Sequence, residues 1–243
     1  MGTIGDVTVR DLVVRDFRAA SVFHRYGIDF CCGGGKPLAD VCRAKRLDEG
    51  QVIEEIERAC AAPTGQPAFT EWEADTLARY IVGQHHGYCR EAMPTIAAHA
   101  RKLAQVHGPA NPELIDIAAT FDDVCREMTS HMLKEEHVLF PHIERLAATR
   151  RAGLQPFPAP FGDVGNPIRA MEAEHEHAGA AMARIRELAH DYEVPAHGCT
   201  TWRVTLQELE AFEQDLHLHV HLENNILFPK ARALAAGPAR AAG

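Results

Sequence analysis

The stretch HMLKEEHVLFP at residues 131–141 has a near copy in HVHLENNILFP at residues 219–229. Each copy contains a histidine, a glutamate four residues later and then Leu-Phe-Pro at the same spacing. Because residues i and i+4 lie one above the other on a helix, the histidine and the glutamate of each copy share one helix face. The two copies therefore predict two equivalent helices, each presenting an imidazole and a carboxylate on the same side.

A second pair of similar stretches precedes these two. HGYCREAMPTI at residues 86–96 and HEHAGAAMARI at residues 175–185 share a histidine, a methionine and an isoleucine in register. The chain thus carries an internal repeat of two helices, and the repeat keeps four histidines and two glutamates. Four helices that point these side chains inward can surround a pair of metal ions.

The apolar stripes of the helices select the same residues as the repeat. His219 and Glu223 fall on the apolar stripe of the last helix, and His131 and Glu135 fall on that of the second. Other polar residues of these two helices fall on different faces: His137, His217, His221 and Asn224. A carboxylate buried among apolar side chains is costly without a cation or a hydrogen-bond donor, so the pattern predicts a metal site.

The first and third helices each offer a choice of histidine. Pairing His86 with His175 aligns the repeated methionine and isoleucine, whereas pairing His85 with His175 loses both matches. The same register favours His175 over His177. We therefore expect His86 and His175 as ligands, with His85 at the bundle edge or hydrogen-bonded in support of a ligand.

The ligand types narrow the choice of metal. Imidazole and carboxylate without thiolate suit iron, manganese or zinc, and a structural zinc site needs only four ligands. Six ligands, of which two carboxylates can bridge, indicate two ions. The ferritin-like pattern requires two Glu-x-x-His motifs, and only Glu172 with His175 has that spacing. A histidine-rich di-iron site with open positions for O₂ or NO is expected.

The periodicity predicts an all-α fold in two parts. Four long amphipathic segments span residues 71–106, 112–148, 166–192 and 200–235. A short connection joins the first segment to the second, and another joins the third to the fourth. Helices joined in this way pack as antiparallel neighbours. A Pro/Gly-containing stretch at 62–68 precedes them. We expect a small helical Cys-Cys domain at 1–62 and an antiparallel four-helix bundle at 69–235.

The composition excludes several classes of protein. The net charge of −9 argues against a nucleic-acid-binding protein, which would present a basic face. The chain has no 18-residue apolar run and no signal-peptide pattern, so neither a membrane span nor secretion is expected. The seven cysteines follow no disulfide-scaffold spacing, which fits a reducing compartment and predicts a cytoplasmic location.

Several strings beyond the repeat are similar to one known family. FHRYGIDFCCGGGKPLADVC (23–42), MEAEH (171–175), CTTW (199–202) and LENN with LFP (222–229) make nearly the whole chain resemble the repair-of-iron-centres (Ric) family. That family joins a small N-terminal domain to a hemerythrin-like (HHE) bundle. The resemblance implies a di-iron protein that repairs iron–sulfur clusters damaged by oxidative and nitrosative stress, by iron donation, NO removal or both.

The resemblance also assigns roles to individual residues. It implies an oxo- and carboxylate-bridged pair of iron ions bound by the six residues of the repeat: His86, His131, Glu135, His175, His219 and Glu223. Glu127 and Glu174 match acidic residues near the family's metal centre, and they would relay protons or guide iron.

Cys31 and Cys32 form a further motif, because three glycines and Lys36 follow them. Glycines let backbone amides approach an anion or a thiolate, and Lys36 would lower a thiol pKa. We interpret the pair as redox thiols that accept NO, a metal ion or a disulfide partner.

Two other functions stay open at this point. One is an O₂-binding or O₂-sensing hemerythrin-like protein, although oxygen carriers typically have five histidine ligands. The other is reduction of NO to N₂O at the two irons, so whether the chain is an enzyme is undecided. The expected partners are damaged iron–sulfur proteins and NO or O₂, without nucleic acid or membrane. A homodimer is a further expectation.

Overall fold

The structure is a computed structural model that describes residues 3–61, 68–157, 159 and 161–236. Within these ranges the chain is helical and contains no strand, only the isolated bridges Thr8–Pro37 and Ala159–Gly162. The predicted all-α class is confirmed. Most of the predicted linker, residues 62–67, lies outside the described residues.

Four short helices form the N-terminal part. They are α1 (Val9–Arg15), α2 (Ala19–Arg25), α3 (Leu38–Lys45) and α4 (Glu49–Cys60). The Thr8 side chain accepts a hydrogen bond from the amide of Asp11 and caps the start of α1. Gly27, at φ 58°, follows the end of α2, where only glycine adopts this backbone conformation without strain.

Four long helices form the bundle, and three of them contain a π turn. Their segments are α5 (Ala74–Ile81, π turn Val82–His86, Gly87–His107), α6 (Glu113–Lys134, π turn Glu135–Leu139, Phe140–Arg151), α7 (Gly165–Leu188) and α8 (Thr200–Leu222, π turn Glu223–Leu227, Phe228–Ala236).

Ion pairs show the antiparallel order of the helices. Along α5, Arg101 pairs with Asp122 of α6, Arg90 with Glu136 and Arg79 with Glu144. The residue numbers fall along α5 while they rise along α6, so the two helices run in opposite directions. Arg186 pairs with Glu213, and Arg232 pairs with Glu172, which gives α7 and α8 the same relation. This arrangement is the predicted antiparallel bundle.

The π turns of α6 and α8 have a cause in the repeated Leu-Phe-Pro. Pro141 and Pro229 lie two residues beyond the ends of these turns, directly after Phe140 and Phe228. Proline lacks an amide hydrogen and its ring clashes with the carbonyl four residues earlier, which favours a wider turn before it. The α-helix resumes at Phe140 and at Phe228. The repeat therefore sets a local widening of the helix at each of its two glutamates.

Apolar packing places the polar centre between two clusters. One cluster contains Phe121, Met128 and Phe212 of the bundle and continues into the N-terminal part through Phe23 and Phe30. The other includes the ring of Phe140 and the ring of Phe228 at the opposite end of the bundle. In the described part of the chain, no helix has the length and apolar character that spanning a membrane requires.

Candidate metal centre

The structure brings together all six residues of the repeat. His86 comes from α5, His131 and Glu135 from α6, His175 from α7, and His219 and Glu223 from α8; all six are at most 1% exposed. They form two sets of four, and within each set the ligand atoms lie within 4.8 Å of one another. The sets are His86, Glu135, His219, Glu223 and His131, Glu135, His175, Glu223.

The two glutamates belong to both sets. Glu135 Oε2 lies 3.3 Å from His86 Nε2 and 3.2 Å from His131 Nε2. The two oxygens of Glu223 separate, with Oε1 2.9 Å from His219 Nε2 and Oε2 2.9 Å from His175 Nε2. Each carboxylate therefore reaches one histidine of each set, as a bridge between two ions requires.

The spacing of the imidazoles suits one ion per set. His86 Nε2 lies 3.2 Å from His219 Nε2, and His131 Nε2 lies 3.1 Å from His175 Nε2. Metal–nitrogen bonds of about 2.0–2.1 Å place two ligands at right angles about 3 Å apart. Each histidine pair can therefore bind the same ion with little movement.

Glu135 gives a second test of whether a cation fits. Its side chain is completely buried, and neither oxygen makes a well-aligned hydrogen bond to the described residues, although Oε2 contacts two imidazole nitrogens. A buried carboxylate without hydrogen bonds costs several kcal/mol unless a cation compensates its charge. Two cations, one in each set, would compensate the negative charge of Glu135. The donor set therefore fits a dinuclear site.

Three of the four histidines have a partner at Nδ1. Glu136 Oε1 lies 2.6 Å from His86 Nδ1, and Glu136 also pairs with Arg90. Glu174 Oε2 lies 3.0 Å from His131 Nδ1, and Lys134 pairs with that carboxylate. A carboxylate on the second ring nitrogen fixes the orientation of the imidazole and raises its basicity as a ligand.

His175 has an amide partner instead. Its Nδ1 lies 2.8 Å from Oδ1 of Asn224, the residue after Glu223. The Asn224 amide donates on its other side to the carbonyl of Cys31 at 3.2 Å. Asn224 therefore joins a residue of the centre to the loop of the N-terminal part that carries the two cysteines.

Two family models match the chain. A domain of unknown function (DUF542) covers residues 5–60, and the hemerythrin HHE cation binding domain covers residues 77–231. A Citrobacter koseri protein named iron-sulfur cluster repair protein YtfE is 32% identical over 233 residues, which make up 94% of this chain and 97% of that protein. The chain belongs to this iron–sulfur cluster repair family.

Proteins of the same name occur in other bacteria. The one in Cronobacter sakazakii is 33% identical and covers 94% of this chain and 97% of its own length. The one in Yersinia pestis is 33% identical over 220 residues, with 88% and 91% covered. The resemblance inferred from the motifs is confirmed, and the hemerythrin segment of this family member contains all six residues of the repeat.

His85 lies beside the cluster without joining it. Its Nδ1 is 2.9 Å from Oδ1 of Asp215, and its ring stacks on that of His219 at 5.6 Å. With 3% exposed, it is buried rather than at the bundle edge. The structure places His86 in the cluster, and His177 is exposed.

The two acidic residues suggested as relays differ in position. Glu174 contacts His131, and the hydrogen bond from that ring, followed by the one from Lys134, lowers the pKa of Glu174 to about 2. Glu127 is exposed, and no hydrogen bond or ion pair connects it to the described part of the chain. A relay role for either residue stays a prediction, and only Glu174 has a contact with the cluster.

The cysteine loop is organised by Asp29. Its Oδ1 accepts the amides of Cys31 and Cys32 at 2.9 and 3.0 Å, and its Oδ2 accepts that of Gly33 at 2.7 Å. A Cβ on Gly33 would lie 2.8 Å from Oδ2 of Asp29, too close for any other residue without a shift. Of the two acceptors that the glycines suggested, an anion or a thiolate, the amides of this turn bind an anion, the Asp29 carboxylate.

The pKa of the Cys31 thiol shifts in the direction opposite to the one expected from Lys36. Contact with Cys32 and burial raise the pKa of the Cys31 thiol well above its usual range. Lys36 is exposed, where its charge is screened by water. A redox role for Cys31 and Cys32 stays a prediction.

Proposed function

We propose that this chain is an iron-carrying protein that repairs damaged iron–sulfur clusters, and that its buried cluster binds two iron ions. The names of its relatives and their coverage of both its N-terminal part and its bundle support the repair role. The cation-binding hemerythrin family supports iron binding. The O₂-carrier alternative is not favoured by these relatives.

The single observation that carries the dinuclear proposal is the shared use of two buried carboxylates. Glu135 and Glu223 each lie within 4.0 Å of histidines from both sets. Each ion would receive two imidazoles of its own and share two carboxylates. Iron at such a centre supplies open coordination positions for small ligands, and the small number of protein ligands per ion favours release.

The chain's own residues then have distinct tasks. The four histidines would bind the two iron ions, and the two glutamates would bind them as well and compensate their positive charge. Glu136 and Glu174 hold two of the imidazoles in position. The partners we propose are damaged iron–sulfur proteins, with NO or O₂ as small ligands. A cytoplasmic location and a homodimer remain predictions that belong to this proposal.

Iron transfer and NO consumption can be compared in one experiment. Reduced, iron-loaded protein is mixed with an apo-ferredoxin and a sulfide source, and cluster formation is followed by absorbance; N₂O is measured in a parallel sample given NO. We expect cluster formation with the wild type and none with Glu135→Leu. If N₂O forms and no cluster does, the protein is an NO-reducing enzyme and the repair proposal is wrong. If neither N₂O nor a cluster forms, both proposals are contradicted.

A further inference from the structure

A second group of metal-binding side chains lies outside the His/Glu cluster, on the loop between α2 and α3. The ligand atoms of Asp29, Cys31 and Cys32 lie within 4.8 Å of one another. We infer that these three residues form a mononuclear site for a thiophilic divalent cation. The site rests on the geometry of the loop and does not depend on the proposed function.

The distances between the donor atoms match those around a tetrahedral ion. Cys31 Sγ lies 3.8 Å from Cys32 Sγ and 3.4 Å from Asp29 Oδ1. Metal–sulfur bonds of about 2.3 Å place two thiolates about 3.8 Å apart, which is the separation of the two sulfurs here. The sulfurs are also too far apart for a disulfide, whose S–S bond is about 2.0 Å.

The loop holds these atoms before any ion binds. Three backbone amides position the Asp29 carboxylate, two of them at Oδ1 and one at Oδ2. Each carboxylate oxygen has about two lone-pair sites, so Oδ2 keeps one for a cation. The turn is tight, because a Cβ on Gly34 would lie 2.5 Å from the carbonyl oxygen of Phe30. Asn225 fastens the loop to α8 by donating to that same carbonyl at 3.3 Å.

A cavity of about 360 Å³ leads to the two sulfurs between the loop and the bundle. Its wall includes Asp29, both cysteines, His217 and Glu176. The Nδ1 atom of His217 is buried and has no hydrogen-bond partner among the described residues. The cavity therefore provides access for a cation, and its wall adds an imidazole and a carboxylate to the two thiols. The cavity wall also includes Arg186, whose positive charge is paired with Glu213.

Asn224 connects this site to the His/Glu cluster. Its amide nitrogen lies 3.9 Å from Cys32 Sγ and donates to the Cys31 carbonyl, while its oxygen faces His175 Nδ1. One side chain thus separates the two sets of ligands. We assign ferrous iron as the occupant, in transit to or from the bundle; this assignment, unlike the site itself, rests on the proposed function.

Cobalt(II) tests the site without relying on repair activity. Full-length protein with its bundle already loaded with iron is kept reduced and titrated with cobalt(II), and thiolate-to-cobalt charge transfer is followed in the near ultraviolet. We expect one thiolate-bound cobalt per chain in the wild type and none in the Cys31→Ser/Cys32→Ser variant. The matched control is Cys125→Ser/Cys199→Ser, which should keep the full signal.

Circular dichroism verifies that each variant is folded, and the bundle's iron content gives a second check for the two cysteine variants. No charge-transfer band in the wild type, or a full band in Cys31→Ser/Cys32→Ser, would overturn the site. Glu135→Leu should lose bundle iron and keep the cobalt band, which separates a failure of the proposed function from a failure of this site. If the wild type takes up no more ferrous iron than Cys31→Ser/Cys32→Ser, iron is the wrong occupant.

Discussion

Glu135 and Glu223 occupy equivalent positions in the two halves of the bundle. Each is the first residue of a π turn, and each follows a buried histidine of the cluster by four residues. A single π turn within an α-helix is frequent at functional sites. The widened turns therefore coincide with the two carboxylates that both histidine sets share.

The first prediction concerns these carboxylates. Replacing Glu135 or Glu223 with leucine should lower iron content well below two per chain, because each variant removes a ligand from both ions at once. Iron is measured by elemental analysis after loading and gel filtration. Glu91→Leu, at an exposed position of α5, is the control and should load like the wild type. Full loading in both glutamate variants would refute the ligand assignment.

The second prediction separates the adjacent histidines. His86→Ala should loosen one iron, since it removes a nitrogen 3.3 Å from Glu135 Oε2. His85→Ala should leave iron content near that of the wild type, because His85 bonds to Asp215 instead. Iron retention is compared after equal exposure to a chelator. If His85→Ala loses iron and His86→Ala retains it, His85 is the ligand instead of His86, and the dinuclear proposal still stands.

The third prediction concerns the carboxylates that orient the imidazoles. Glu136→Gln should weaken the binding of one iron about 10–100-fold, the usual effect of removing such a partner. Glu174→Gln should have the same effect on the other iron, because it contacts His131 rather than His86. Chelator competition gives the two affinities. Equal binding in both variants and in the wild type would show that neither contact matters for the metal.

The fourth prediction tests the two-domain organisation. A fragment that starts near Phe69 should fold and bind two irons, since all six cluster residues lie beyond that point. It should unfold at lower temperature than the full chain, because Phe30 packs against His217 and His221 and its removal exposes that face. Iron content and thermal melting are the measurements. An insoluble or iron-free fragment would mean that the two parts are not separable.

The fifth prediction is a pH dependence from His24 of α2. Burial, followed by the charge of Arg186, lowers the pKa of His24 from 6.5 to about 4, against an opposing effect of Glu213; His217 also faces it. Because the folded protein binds this proton less readily than the unfolded chain, His24 should cost no stability above pH 6.5 and should reduce stability progressively from there down to about pH 4.

Urea unfolding at pH 7.5 and pH 5 measures this effect. The loss of stability between these two values should be smaller for His24→Gln than for the wild type, because glutamine takes up no proton. An equal loss in both proteins would exclude His24 as a contributor.

Much of the architecture could be predicted because its causes are local. Helix periodicity and short connections indicated four antiparallel helices, and the duplicated spacing indicated which histidines and glutamates share one inner face. The Leu-Phe-Pro accompanies the π turn in each copy, but proline alone does not predict such a turn, because Pro94 lies within a regular helical segment and the π turn of α5 has no proline directly after it.

Contacts between elements could not be read in this way. Glu136 follows Glu135 directly and points about 100° away from it on an ideal helix, so its contact with His86 depends on how α5 packs against α6. Asn224 fell outside the apolar stripe and was assigned to another face. The loop that carries Cys31 covers that face, although it lies 193 residues earlier in the sequence.

The sequence by itself determined the helical class, the repeated ligand pattern and the family, because each depends on residue types at fixed spacing along one chain. Only the tertiary structure decided that both carboxylates reach both histidine sets, that His85 is buried against His219 instead of lying at the bundle edge, and that Asn224 joins His175 to Cys31. These relations depend on the relative position of separate helices, which side-chain packing sets and no local pattern encodes.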